Sequence, residues 1–338
     1  MHRHHRFPSR TTPSRYSDDV SLTANSADTS KRFRAISSSR PDNHWDELFK
    51  DSWPGYRDWY FAEGDAARPG YGTCLKQFRR HMPELVGTWQ ALVEAAGGGD
   101  AVARFLSLYC PPAYLTGCTQ AVWTGEEPAL VRNYDYSARR LEGTVLCTRW
   151  NDRTVIAMSD ALWGVLDGIN DAGLAVSLAF GGRLNVGPGF GIPVILRYVL
   201  EFCETTREAV SVLKRIPTHM SYNITVLDQD QQFATVYVAP EKPAVVRQVP
   251  VATNHQGRIE WPRHAWVTAT LERESAVQSI LADMDQTLPG LVAGFLQPPI
   301  FNSAYKRGFG TLYTAVYRPL SQSVEYLWPQ DAWRFTAE

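Results

Sequence analysis

Three times between residues 119 and 180 the chain sets two apolar, β-branched runs on either side of a short turn. Runs 119–124 and 129–134 flank Gly125-Glu126-Glu127-Pro128, runs 145–150 and 154–158 flank Asn151-Asp152, and runs 165–169 and 174–180 flank Asn170-Asp171-Ala172-Gly173. Connections this short predict antiparallel hairpins, because a parallel pair needs a crossover of about a dozen residues or more. A fourth hairpin is expected at 222–227 and 233–238, a strand at 245–251, and closing strands at 311–317 and 323–327. Helical patterns interrupt these as blocks at 193–203, 206–217, 264–284 and 288–296, the second opened by Thr205-Thr206-Arg207-Glu208, which has the form of a capping box. Hairpins and helices grouped in blocks argue for an α+β fold of two stacked antiparallel sheets with helices outside. No internal repeat is present.

The region before residue 118 reads differently. Residues 1–42 are rich in Ser, Thr, Arg, His and Pro, with few large apolar side chains, so a disordered tail is expected there. Its His2, His4 and His5 suit adventitious metal binding at most, and its Arg/Ser-rich opening resembles an organelle transit peptide in composition alone. Residues 43–117 form a helical leader. Trp45, Trp53, Tyr56, Trp59, Tyr60 and Phe61 are expected as packing anchors in a stretch broken by Pro54 and Gly55. A helix over 75–96, kinked or split by Pro83, is followed by a second starting at an Asp100 cap, and Pro111-Pro112 ends helix formation.

The formal charge is -1 with no basic stripe, which argues against nucleic acid or anionic membrane as partners. The five cysteines (Cys74, Cys110, Cys118, Cys147 and Cys203) make no CxxC pair, so neither a disulfide framework nor a zinc site is expected. With no apolar signal core and no membrane-length run, the expectation is a cytoplasmic protein without a metal or cofactor.

Chemistry points to Gly117-Cys118. If the first hairpin turns near Glu126, Cys118 lies opposite Tyr134, with Arg132 and Asp135 close by. A nearby guanidinium favours the thiolate, and a carboxylate can hold an ammonium or orient the arginine. Were Cys118 a free N-terminus, its α-amine, with an ordinary pKa of ~7.7–8.0, would suit the task of taking a proton from a thiol near ~8.5. An ordinary buried cysteine beside an ion pair answers the same pattern.

Gly117-Cys118-Thr119 followed by Arg132-Asn133-Tyr134-Asp135 resembles the penicillin acyltransferase family of N-terminal-nucleophile (Ntn) hydrolases, and more distantly choloylglycine hydrolases and acid ceramidase. Further pieces of the resemblance are Asp167-Gly168-Ile169-Asn170-Asp171-Ala172-Gly173-Leu174, the strand from Tyr222 to Asp228, Thr253-Asn254-His255, and Thr270-Leu271-Glu272-Arg273. It implies a four-layer αββα fold and self-cleavage between Gly117 and Cys118. Residues 43–117 would then be the α chain and 118–338 the β chain, the two remaining associated.

The same resemblance implies roles. Cys118 would be the nucleophile and its freed amine the general base. Asn254 would be the oxyanion donor, Arg132 and Asp135 the groups placing amine and thiol, and Arg273 a helix arginine of the site. Tyr134, Arg183 and His255 are the candidate substrate contacts. The expected reaction is hydrolysis or transfer of the acyl group of a small N-acyl compound through an acyl-Cys118 thioester. Acyl-coenzyme A is admitted as a donor substrate. Two other readings stand beside it: an inactive relative serving as a binding module, and an unprocessed Cys118/His255 hydrolase. Where choloylglycine hydrolases carry an asparagine this chain has Leu178-Ala179-Phe180-Gly181, so bile-salt hydrolysis is not expected. The 181–191 loop lacks nucleotide-binding spacing and is read as a lip over the substrate pocket.

Overall fold

The computed structural model describes residues 15–22 and 30–337, and among these fifteen strands form two sheets. The larger runs, in spatial order, β1 (Arg15–Ser21), β2 (Ser30–Ser38), β5 (Thr144–Thr148), β6 (Val155–Asp160), β7 (Gly164–Asn170), β8 (Ala175–Phe180), β9 (Tyr222–Leu227), β10 (Phe233–Ala239) and β11 (Lys242–Arg247). The smaller runs β12 (Val251–Ala252), β3 (Gly117–Trp123), β4 (Ala129–Tyr136), β13 (Gly310–Arg318), β14 (Ser323–Leu327) and β15 (Ala332–Thr336). Every pairing is antiparallel except β2 with β5. The expected hairpins are all present.

The sheets stack face to face, with β3 and β4 against β8 and β14 against β7. Helices α5 (Ile192–Phe202) and α6 (Thr206–Arg215) cover the outside of the larger sheet, while α8 (Thr270–Leu281) and α9 (Leu288–Phe295) cover the smaller one. The fold is therefore α+β in four layers, αββα. One continuous apolar core fills the space between sheets, and a second, built on Ala121, Val131, Val277 and Leu291, joins β3 and β4 to α8 and α9. The capping box at Thr205 is formed: its hydroxyl accepts from Glu208 N–H, and Glu208 accepts from Thr205 N–H.

The expected tail needs correction. Residues 15–21 and 30–38 are β1 and β2, and β2 lies parallel to β5. The physical reason is a partner far away in sequence: Phe33, Ala35 and Ile36 bury against the core although their neighbours are polar. The sequence of His2, His4 and His5, and the transit-like opening, lie outside the described residues.

The leader differs in detail. Helix α1 (Asn43–Tyr60) runs through Pro54 instead of breaking there. Trp45, Phe49 and Trp53 stack at four-residue spacing, with centroids 5.6 and 5.4 Å apart, and Trp53, Tyr56 and Tyr60 all pack on Phe105. This ring packing outweighs the hydrogen bond that the proline forfeits. Pro83 does split the next helix, into α2 (Tyr71–His81) and α3 (Val86–Ala95). In α4 (Asp100–Ser107) the cap residue is Gly99, and Asp100 instead pairs with Arg104.

Two further breaks shape the site. The expected strand over 245–251 is divided: β11 stays at the edge of the larger sheet, while β12 crosses to pair with β3. The expected helix over 264–284 is divided into α7 (Pro262–Val267) and α8 by Ala269, whose φ of 47° is left-handed. The final strand β15, which pairs with β14, was not anticipated.

Candidate active site

Cys118 sits on β3 directly across from Tyr134 on β4, and Gly117 across from Asp135, as the hairpin spacing predicts. Its thiol is fully buried. Arg132 Nη2 lies 3.4 Å from Sγ, and Thr116 Oγ1 lies 3.9 Å away. Burial pushes the thiol above its ordinary pKa, the Arg132 guanidinium pulls it back, and the Asp135 carboxylate adds to the rise. The thiol is thus held protonated beside a cation.

Position 117 is tight for anything larger than glycine. A Cβ there would lie 2.7 Å from the Phe309 ring and 3.2 Å from Asp135 Cβ. A side chain there would require the half-buried Phe309 ring to shift.

The main-chain atoms of Cys118 are held from the far side of the strand. Its N–H donates to Asn254 Oδ1 at 3.0 Å. Its carbonyl accepts from Arg273 Nη1 at 2.5 Å, and the same nitrogen donates to Thr119 Oγ1. Arg273 Nη2 donates to Asn254 Oδ1 at 2.6 Å, and Nη1 stands 3.7 Å from Asp135 Oδ2. Asp135 also accepts from Thr311 Oγ1 at 2.7 Å; burial raises its pKa, and Arg273 and Thr311 oppose the rise. One fully buried guanidinium therefore ties the cysteine, the asparagine and the aspartate together.

The breaks in the fold place these groups. The left-handed turn at Ala269 starts α8 so that Arg273 faces β3, with its Nε donating to the Thr268 carbonyl at 2.7 Å. Thr270 Oγ1 accepts from the Asn254 N–H at 2.8 Å. Asn223 on β9 donates to the carbonyls of Thr253 and His255, bracketing Asn254. Gly182, at φ 70°, packs on the Asn254 carbonyl so closely that a Cβ would overlap it. Asn254 Nδ2 donates to the Phe180 carbonyl at 3.0 Å and lies 3.5 Å from that of Thr116.

The structure thus gathers Cys118, Arg132, Asp135, Asn254 and Arg273 into one buried cluster. Tyr134 packs its ring on the Arg132 guanidinium at 4.7 Å and lines a cavity of about 750 Å³. Other walls of that cavity are Tyr56 and Trp59 of the leader, the Pro111–Tyr114 stretch, Tyr136, and the acids Glu142 and Asp160. Burial and neighbouring Glu142 push Asp160 up to about 7.

Arg183 and His255 are not in the cluster. Arg183 is buried in ion pairs with Glu241 and Glu260, which removes it as a free substrate contact and makes the 181–191 loop a braced segment. His255 hydrogen-bonds Thr253 and Thr270 and faces Glu274 at 3.4 Å, which leaves the Cys118/His255 pairing without support. Asp167, Thr119, Thr311 and Tyr313 were given no role from the sequence. Asp167, at the head of its hairpin motif, and Thr119, beside Cys118, carried a signal; Thr311 and Tyr313 carried none.

Two stacked antiparallel sheets between helices, with a buried cysteine opening a strand of one sheet under asparagine and arginine contacts, are the arrangement of an Ntn-hydrolase fold. The model of the acyl-coenzyme A:6-aminopenicillanic acid acyl-transferase family matches residues 122–333, and the chain belongs to that family. The match takes in Arg132, Asp135, Asn254 and Arg273 and begins just after Cys118.

Among solved structures, penicillin V acylase from Agrobacterium tumefaciens is similar at 17% identity and TM-score 0.41, over 62% of this chain and 82% of that one. The Caenorhabditis elegans ortholog of N-acylethanolamine-hydrolyzing acid amidase is similar at 17% identity and TM-score 0.43, over 61% and 93%. A mutant conjugated bile acid hydrolase from Clostridium perfringens is similar at 12% identity and TM-score 0.44, over 62% and 88%. No curated protein sequence matches the chain. No described helix is long and apolar enough to cross a membrane.

Proposed function

We propose that the chain cleaves itself before Cys118 and then, through an acyl-Cys118 thioester, hydrolyses or transfers the acyl group of a small N-acyl compound. The observation that carries this reading is the grip on Cys118 from both sides, with Sγ facing Arg132 and the main-chain N–H and carbonyl held by Asn254 and Arg273. In the cleavage step Sγ attacks the Gly117 carbonyl carbon, an N-to-S shift gives a thioester, and water releases residue 117 as a carboxylate. The freed α-amine of Cys118 inherits the hydrogen bond to Asn254 Oδ1. With an ordinary pKa of ~7.7–8.0 it takes the thiol proton when Sγ attacks the substrate carbonyl. The proton then passes to the leaving amine.

Asn254 Nδ2 already faces carbonyl oxygens in the uncleaved chain, which suits an oxyanion donor. The cavity beside Tyr134 supplies room for the substrate. Water as acceptor gives hydrolysis, an amine gives transfer, and an acyl-coenzyme A thioester can serve as donor. The two fragments stay together, a reading supported by β2 pairing with β5 and by Trp45 Nε1 donating to the Leu162 carbonyl at 2.9 Å.

Intact mass and a denaturing gel test the proposal. Wild type is expected as two fragments parting at Gly117-Cys118, and Cys118→Ala as one chain. Acyl-enzyme trapping with a panel of N-acyl amines, N-acyl amino acids and acyl-coenzyme A thioesters then places the acyl group on Cys118. An unprocessed wild type with full activity would sink the reading.

A further inference from the structure

Asp167 lies on β7, in the opposite sheet from Cys118, and is fully buried. It forms an ion pair with Arg132 Nη1 across the layer between the sheets. Both of its oxygens are committed. Tyr313 donates to Oδ2 at 2.5 Å, and Tyr317 donates to Oδ1. Arg132 is fixed at its other corners as well: Nε donates to the Leu178 carbonyl at 3.1 Å, and Nη1 to the Tyr313 hydroxyl at 2.8 Å. With Nε and Nη1 held, the planar guanidinium has one direction left for Nη2, and that direction is Cys118 Sγ.

We infer that Asp167 is a positioning residue for Cys118: it fixes the Arg132 guanidinium and offsets its charge, so the thiol meets a directed N–H and not an uncompensated cation. The inference rests on Cys118 being the nucleophile of the proposed reaction. An unopposed cation this close lowers an acid's pKa by about 1–3 units. A carboxylate bonded to that cation cancels most of this, and the thiol keeps its proton until the base removes it.

The charged groups around the thiol are Arg132 and Asp135 on β4 and Arg273 on α8, with the phenols of Tyr134, Tyr222 and Tyr313 nearby. Around the Arg132–Asp167 pair stand Tyr317 and Tyr326, with Asp160 farther off. Among the described residues Asp167 is the carboxylate in direct contact with Arg132.

The test is the pH profile of Cys118 alkylation by iodoacetamide in the full chain, read by peptide mass over roughly pH 6 to 11, a range that reaches well above the ordinary thiol because burial raises this one. Each variant is compared with wild type in the same processing state. Asp167→Asn removes the offset and is expected to lower the midpoint by about one unit or more. Asp167→Glu restores the charge and is expected to return it toward wild type. Tyr317→Phe removes a donor that disperses the carboxylate's charge and is expected to shift the midpoint the other way, upward and by less.

Circular dichroism reports folding. A folded Asp167→Asn protein whose midpoint stays or rises overturns the inference. Should that variant not fold, Tyr317→Phe decides, and an unmoved or lowered midpoint overturns it. Cleavage is read separately on the gel: an uncleaved, inactive wild type would end the proposed function, while the alkylation midpoint still reports on Asp167.

Discussion

The cluster around Cys118 and the cavity beside it are neighbours built on opposite terms. The cluster is sealed: Arg132, Asp135, Asn254 and Arg273 are buried, and each main-chain atom of Cys118 has a fixed partner. All its members come from residue 118 onward. The cavity is open and shared, with Tyr56, Trp59 and the Pro111–Tyr114 stretch of the leader on one side and Tyr134, Tyr136 and Asp160 on the other. Its polar groups bond mainly to one another and to the local backbone, Tyr56 donating to Glu142 at 3.0 Å and accepting from the Ala161 N–H at 3.0 Å. Fixed dipoles serve bond making and breaking, whereas room serves selection. On the proposed reading, chemistry falls to one part of the chain and selection to two.

The largest expected effect is at the centre of the cluster. Arg273→Met leaves Asp135 buried without its ion-pair partner, and is expected to abolish cleavage and cost about 3–5 kcal/mol in urea unfolding. A processed, fully stable variant would break the picture of a sealed cluster. Asn254→Ala follows, with single-turnover acylation slowed by about 10²–10³ while the fold persists. On the cavity side, Trp59→Ala is expected to leave cleavage intact and raise KM about tenfold, on the order of 1.4 kcal/mol. If it blocks cleavage instead, the leader belongs to the chemistry and the division fails.

Asp160 sharpens the same comparison through pH. Its folded pKa is raised to about 7, so between about pH 4 and 7 the folded chain binds more protons than the unfolded one. Stability therefore falls over that window as pH rises. Asp160→Asn removes the loss, so its advantage over wild type in thermal unfolding is expected to be absent near pH 4 and full above pH 7. The smallest effect on activity is at Arg183, buried against Glu241 and Glu260: Arg183→Gln is expected to cost about 1.5–3 kcal/mol of stability and to leave KM unchanged.

Much of this was legible before folding. The hairpin spacing alone set Cys118 across from Tyr134, since a two-sided ladder with a short turn has few registers. Motifs carried Asn254 and Arg273, although Arg273 stood out as a helix arginine with no visible partner. Nothing local marked Thr311 or Tyr313, whose strand reaches β4 from nearly 180 residues away. The partners of Arg183 were hidden for a related reason: an arginine in a glycine-rich loop looks free until Glu241 and Glu260 close on it.

What the sequence by itself determined were the hairpins, the glycine–cysteine step and the residue types around it, because turn chemistry and alternation act over a few residues. Tertiary structure decided the rest. It drew β1 and β2 into the larger sheet, sent β12 across to β3, broke the helix at Ala269, and placed Asp167 behind Arg132. Each of these depends on a partner distant in sequence. Burial rewards such pairings only once both sheets are assembled, so no short window of sequence contains their cause.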